Sequence, residues 1–285
     1  MKCTKCGKTI ADGSLFCSYC GAKQIVKKIC SSCGAELSSD AKFCHICGTR
    51  AAGTNIPQTN IGETPLSSFE IEKKGNNTVL KKFIGSESDV IIPHGITEIG
   101  ASAFKCAGID SVVIPDSVVL IGDNSFYSCS LTSVKIPSSV TYIGKYAFSS
   151  SSLTSVDVPD GVKYIDFAAF SDCSLLAEVF IADSVTDISS CAFSDCKSLT
   201  YVKLPKNIYT IEEYLFQNCE SLQSIELPDI SEIYDGAFEG CSSLTQIKIP
   251  SSLYYLGEKA FQKCSSLKSI SLPNYYVSNK VIFLY

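Results

Sequence analysis

Residues 69 to 285 alternate between short apolar runs and polar turns, with a period of 22 or 23 positions. The period is clearest in the segments PSSVTYIGKYAFSSSSLTSVDV and PKNIYTIEEYLFQNCESLQSIEL. Each unit carries a phenylalanine at the same place, and these residues are Phe104, Phe126, Phe148, Phe170, Phe193, Phe216, Phe238 and Phe261. Such a period predicts a stack of about eight repeats.

One strand per unit is predicted from the segments SVKIP, SVDVP, YVKLP and SIELP, in which apolar and polar residues alternate. Their parallel strands would stack about 4.8 Å apart, and proline would end each strand. Short turns or helices would surround the Phe positions on the other side. In the third unit the predicted inward residues are Val140, Ile143, Ala147, Phe148, Leu153, Val156 and Val158. The predicted fold class is mostly β, a repeat solenoid with a stacked parallel sheet.

The phrases IPSSVTYIGKYAF, SDCKSLTYVKLP and EGCSSLTQIKIP resemble the BspA-type leucine-rich repeats, a bacterial and protist family, over roughly residues 85 to 273. The segment FEIEKKGNNTVLKKFIG resembles the hairpin that starts such arrays, so residues 69–84 are predicted to be an N-terminal cap. The tail, 274–285, would either cap the last repeat or form a truncated copy whose apolar edge promotes association.

The first 50 residues contain two copies of a four-cysteine pattern, 27 positions apart, in which two Cys-x2-Cys pairs are separated by ten residues. Four thiolates at this spacing can surround a zinc ion and fill its coordination shell, which is typical of a structural site. The predicted ligands of two structural zinc ions are Cys3, Cys6, Cys17, Cys20, Cys30, Cys33, Cys44 and Cys47. Sequential sites are favoured over interleaved ones, and His45 is interpreted as uninvolved.

The phrases KCTKCG, LFCSYCG, KICSSCG and KFCHICG resemble the double zinc-ribbon family over residues 1–50. The resemblance implies small β-hairpin modules that dock to protein or sometimes to nucleic acid.

Residues 51–68 are rich in Thr, Asn, Gly, Pro and Ser and have no helical or strand period. They are therefore predicted to be a flexible linker to the solenoid, 69–285.

A further series of cysteines recurs once per repeat, with Ser151 in place of one member. The simpler interpretation is a buried ladder of small residues, since cysteine packs like a small apolar side chain and serine can replace it. Disulfides or a second metal array are the alternative. The series as predicted comprises Cys106, Cys129, Cys173, Cys196, Cys219, Cys241 and Cys264.

The net charge of −5 combines +5 in residues 1–50 with −10 in the remainder. An acidic solenoid argues against a nucleic-acid groove there, because phosphate binding needs clustered cations. Eight thiolates with two zinc ions would add a charge of about −4 to residues 1–50 and nearly cancel their positive charge.

The chain opens MKCTKCGKTI, without an apolar signal core, and no stretch is apolar enough to predict a membrane span. The expected location is the reducing cytoplasm.

Outward strand positions indicate where a protein partner would bind. Phe180 and Tyr201 fall on neighbouring strands, and large amphipathic side chains often anchor interfaces. Alternatively, the two rings cover each other or fill a gap left by Ala182. Leu120, Tyr142 and Tyr164 form a second outward series on another face.

The leading functional hypothesis is a non-catalytic scaffold that binds proteins through the solenoid and a second component through the ribbons. An enzyme is not expected, because His45 and His94 are the two histidines and no catalytic fingerprint is present. The alternatives are a regulator that binds nucleic acid through the ribbons and, as the repeat resemblance implies for some members, a surface adhesin exported by a non-classical route.

Overall fold

A computed structural model of the chain describes residues 28–29, 36–37, 64–270 and 272. The chain divides into two compact units, Met1–Ile61 and Gly62–Tyr285. In the first unit, β1 (Lys28–Ile29) pairs antiparallel with β2 (Glu36–Leu37). In the sequence these strands enclose Cys30 and Cys33, two predicted zinc ligands that lie outside the described residues.

The second unit begins with a 3-10 turn, Leu66–Ser68, and a hairpin of β3 (Phe69–Lys74) and β4 (Asn77–Phe83). The two strands are antiparallel and are joined at Gly75, whose φ of 59° is the left-handed conformation that glycine adopts readily. On its other side β4 pairs in parallel with the first repeat. The hairpin therefore supplies the outer edge of the repeat sheet.

Part of the segment assigned to the linker by its composition packs on the solenoid. The Thr64 hydroxyl accepts the Ile91 amide at 2.8 Å, and the Ser68 hydroxyl donates to Glu87 at 2.9 Å. Both Thr64 and Ser68 are buried. Residues 64–68 thus belong structurally to the first coil.

The repeats contribute strands to two separate parallel series, as opposed to the single series that the alternation predicted. The front series follows the SVxV segments and comprises β5 (Asp89–Ile91), β7 (Ser111–Val113), β10 (Ser155–Val158), β12 (Glu178–Ile181), β14 (Tyr201–Lys203), β16 (Ser224–Ile225) and β18 (Gln246–Ile247). The back series comprises β6 (Glu98–Ile99), β8 (Leu120–Ile121), β9 (Tyr142–Ile143), β11 (Tyr164–Ile165), β13 (Asp187–Ile188), β15 (Thr210–Ile211), β17 (Glu232–Ile233) and β19 (Tyr255–Leu256).

Hydrogen-bonded pairing in both series is interrupted along the stack. The front strands form sheets β5-β7, β10-β12-β14 and β16-β18, and one isolated bridge joins Val113 to Lys135. The back strands form a sheet of seven, from β13 to the hairpin strand β3, and a sheet of three, β15-β17-β19. Equivalent residues of successive coils face each other, as Val156 faces Val179.

Proline closes the turn between the front and back strands of a coil. The carbonyl of Pro137 accepts the amide of Val140 at 3.1 Å, and the same bond recurs from Val118 to Pro115. Proline suits this position because it lacks an N–H and here has to supply only the acceptor. Valine then points inward and is fully buried.

The segment around each phenylalanine is a turn, and the 3-10 turn near residue 66 is the one helical element among the described residues. Residues two before and two after each Phe have positive φ in all eight coils, as at Tyr146 and Ser150. Their amides and that of Phe148 between them donate to the next coil, at 3.0, 2.9 and 2.8 Å. The left-handed residues therefore orient every second N–H group of the turn toward the next coil. The hydrogen bonds formed there offset the conformational cost of the left-handed residues, about 1 kcal/mol each.

The repeating phenylalanines form a continuous aromatic column through the core. Nine rings, from Phe83 to Phe261, stack with centroids 4.9–5.9 Å apart and interplanar angles of 25° or less. The eight rings of the repeats are at most 1% exposed. The predicted inward residues of the third unit are all buried as well. Stacked pairs add about 0.5–1.5 kcal/mol each beyond the burial of their area.

Replacement of one ring in this column should destabilise the solenoid. Phe170→Ala removes a fully buried side chain that stacks on both Phe148 and Phe193, so we expect a loss of about 3–5 kcal/mol in unfolding free energy. The matched control is Phe180→Ala, whose ring is 38% exposed and should cost about 1 kcal/mol or less. Urea unfolding followed by circular dichroism measures both, and equal losses would contradict the assignment.

Candidate functional site

Alternate residues of the front strands point outward, and two of them are the predicted partner-binding residues, Phe180 and Tyr201. On β12 the inward residues Val179 and Ile181 are buried, which leaves Phe180 on the outer side. On β14 Val202 is buried, which leaves Tyr201 outside. The structure brings these two rings into contact, with centroids 5.4 Å apart and an interplanar angle of 47°.

The two rings cover each other only in part. Phe180 remains 38% exposed and Tyr201 48% exposed. In the strand register Phe180 faces Lys203 on one side and Asp157 on the other, while Tyr201 faces Glu178. Tyr201 is therefore the diagonal neighbour of Phe180, a position within reach of an aromatic ring. The result is an exposed aromatic contact framed by charges of both signs.

An open cleft begins beside this aromatic contact. Hydrogen-bonded pairing of the front strands stops between β14 and β16. A cavity of about 370 Å³ lies there, and its wall includes Tyr201, Lys203, Ser224 and Glu226. The cleft gives Tyr201 a concave flank with both polar and apolar walls. Sequence reasoning missed it, because the same alternation runs through both strands.

The recurrent cysteines form the buried ladder that the sequence predicted, in all coils but the first. Each thiol donates to the carbonyl of the phenylalanine one coil earlier, as from Cys129 to Phe104 at 3.0 Å and from Cys264 to Phe238 at 3.1 Å. Ser151 keeps the place of a thiol and lies 3.3 Å from the sulfur of Cys173. All cysteines of the described coils are free thiols.

Cys106 was wrongly assigned to this ladder. It lies two residues after Phe104, whereas the other members lie three residues after their phenylalanine. Ala107 occupies the ladder position and packs against the core, while Cys106 adopts a φ of 57° and is exposed. A spacing of 23 residues to the next cysteine fits the repeat length, so spacing alone suggested membership.

Burial makes the ladder thiols poor nucleophiles. Desolvation raises the pKa of Cys129 and of Cys264 to about 12, and that of Cys173 to about 11. A thiol with such a pKa is almost entirely protonated near neutral pH and forms little of the reactive thiolate. In the coils that the structure describes, no three His, Cys, Asp or Glu side chains are grouped so that they could hold a metal ion.

The predicted zinc ligands all lie outside the described residues, and so does His45. Their donor set fits zinc on chemical grounds, because two complete sets of four cysteines supply the soft, deprotonated ligands of a closed tetrahedral site. The other histidine, His94, is exposed in the turn after Pro93.

Comparison with known protein families decides the class of the chain. The family model described as the BspA type leucine rich repeat region matches residues 81–200 and 186–282, in six copies. The chain belongs to the BspA-type leucine-rich-repeat family. A second family model, the double zinc ribbon, matches residues 3–48. Both predicted resemblances are confirmed, in the predicted order.

Three solved structures similar to this chain are described as leucine-rich-repeat or leucine rich proteins. One from Bacteroides ovatus is 30% identical, with a TM-score of 0.50 over 71% of this chain and 48% of that one. One from Eubacterium ventriosum is 30% identical, with a TM-score of 0.56 over 60% and 48%. A leucine rich cell surface protein from Faecalibacterium prausnitzii is 32% identical, with a TM-score of 0.46 over 65% and 59%.

The BspA-type chain thus spans about half to three fifths of the length of these proteins. No curated protein matches it closely enough to count as a relative. Among the described residues, no helix has both the length and the apolar character needed to cross a membrane.

Proposed function

We propose that this BspA-type protein is a non-catalytic interaction scaffold whose solenoid binds another protein at the front aromatic pair, Phe180 and Tyr201. Leucine-rich repeats are typical protein-interaction modules. The proposal adds that the partner binds on the front strands and that the two aromatic rings contribute most of the binding energy. It rests on the contact between two half-exposed aromatic rings beside an open cleft. Residues outside this pair would mainly contribute shape and exclude water.

The chemistry of the pair suits an interface anchor. Large aromatic side chains supply much apolar area at little cost in conformational entropy, and they dominate binding energies at the centres of interfaces. The mutual contact fixes both rings before a partner arrives, so less ordering is required on binding. Lys203 and Asp157, on either side of Phe180 in the register, could pair with a polar rim on the partner.

Zinc has a structural role in the same proposal. A segment of 50 residues is too short to fold on a core of its own, and structural zinc sites supply about 10–16 kcal/mol in comparable peptides. Two ions, each held by one set of four cysteines, would fold residues 1–50 into a second docking module. The nucleic-acid regulator and the adhesin stay predictions of the sequence.

The aromatic anchor is tested by capture of partners on the immobilised full chain. The double variant Phe180→Ser/Tyr201→Ser should lose about 2 kcal/mol or more of binding free energy, a drop of roughly 30-fold in affinity. The matched control is Leu66→Ser/Leu175→Ser, which removes two exposed apolar side chains elsewhere on the solenoid. A partner that the original chain, the variant and the control recover equally would overturn the proposal.

The zinc sites are tested by alkylation of the full chain and mapping of the modified cysteines. In the native protein Cys106 should react, while the eight predicted ligands should react only after a chelator removes zinc. The six buried ladder cysteines should stay protected until the solenoid unfolds, because burial keeps them protonated. Rapid modification of the predicted ligands without a chelator would contradict the zinc assignment.

A further inference from the structure

The outer side of the back strands carries many of the exposed aromatic side chains of the solenoid. Tyr164, Tyr209, Tyr254 and Tyr255 are 42%, 68%, 64% and 41% exposed. They lie on or directly before β11, β15 and β19, on a different series of strands from Phe180 and Tyr201. We call the outer side of the back strands β11, β13, β15, β17 and β19 the tyrosine face.

Carboxylates lie among these tyrosines on successive coils, and each bonds to a hydroxyl. Tyr142 donates to Asp166 at 2.5 Å, Thr210 donates to Glu212 at 2.8 Å, and Glu232 accepts bonds from both Tyr234 and Tyr254. A hydrogen bond with Asp187 raises the pKa of Tyr164. Each of these carboxylates is therefore held by a neutral hydroxyl, which fixes its position and leaves its charge uncancelled.

Ion pairs of the described coils and hairpin lie away from this face. They join lysines to Glu72, Glu220, Asp183 and Glu239. Lys163, directly before β11, takes part in none of them. None of the ion pairs in the described coils and hairpin involves a carboxylate of the tyrosine face, so lysine does not neutralise these acids.

Like charges on the face are close enough to affect one another. Burial raises the pKa of Glu212, and the neighbouring carboxylates of Asp187, Glu213 and Glu232 raise it further. Repulsion of this kind is relieved by an approaching cation. The exposed tyrosine rings add a second attraction for cations, since their faces carry partial negative charge.

A metal ion does not fit this arrangement. The carboxylates are distributed over successive coils, each is engaged with a hydroxyl, and no three of them form a ligand group among the described residues. Nucleic acid does not fit either, because its phosphates would meet uncompensated carboxylates. An extended polypeptide with clustered positive charge matches both the acids and the rings.

We propose that the tyrosine face is a second interaction surface, which binds a lysine- or arginine-rich segment of a protein partner. Cations of the segment would lie between the carboxylates of Glu212 and Glu232 and over the rings of Tyr209 and Tyr254. The surface is separate from the front aromatic pair, so the two proposals stand or fall independently.

A labelled oligolysine peptide is the probe, measured by fluorescence anisotropy on the full chain at low and high salt. An oligoglutamate peptide of the same length is the peptide control. We expect salt-sensitive binding of oligolysine alone. The variant Glu212→Gln/Glu232→Gln keeps the size of both side chains and should weaken binding about tenfold.

The matched control variant, Glu70→Gln/Glu220→Gln, removes the same charge at two positions outside the tyrosine face, one in the hairpin strand β3 and one in the turn after Phe216. It should change affinity less than about twofold. A single change at the most exposed ring, Tyr209→Ser, should weaken binding about threefold without loss of fold. Equal weakening by both double variants would mean attraction by net charge and would overturn the proposal. So would undetectable oligolysine binding or an unaffected Tyr209→Ser chain.

Discussion

Contact between successive coils is the constraint on which the solenoid depends. A single repeat of 22 or 23 residues cannot enclose its apolar side chains, so each coil buries them only against its neighbours. Three kinds of contact repeat along the stack: ring on ring in the phenylalanine column, thiol to phenylalanine carbonyl, and backbone amide to the carbonyl of the next coil. The hairpin of β3 and β4 covers the first edge with its own pairing.

This internal regularity leaves function to the side chains that point outward. The buried positions are occupied by similar residues in each coil, whereas the outer positions differ, as Asp157, Phe180 and Lys203 do in one row of the front strands. Two series of strands give two outer faces of different character. The front face offers an aromatic contact beside a cleft, and the tyrosine face offers uncompensated carboxylates among exposed rings.

Much of the fold and part of the site could be predicted from sequence, because strand alternation and the phenylalanine period are direct traces of burial. Those patterns placed Phe180 and Tyr201 outside on adjacent strands. The back strands escaped prediction because two residues, as in β11, are too few to alternate visibly. The left-handed turn positions carry glycine in one coil, at Gly236 and Gly240, whereas residues such as Tyr146 and Lys259 occupy them elsewhere, so no recurring glycine marked these turns. The break between β14 and β16 depends on packing that local sequence does not encode.

Hydrogen exchange of the backbone amides tests the coil-to-coil account most directly. If the phenylalanine turns are stacked as described, the amides of the phenylalanines from Phe104 to Phe238 and of the residues two before and two after each should exchange slowly, since they donate to the next coil. Intervening amides such as that of Tyr127, which bond within their own turn, should exchange faster. Uniformly fast exchange through the turns, with protection confined to the strands, would contradict the account.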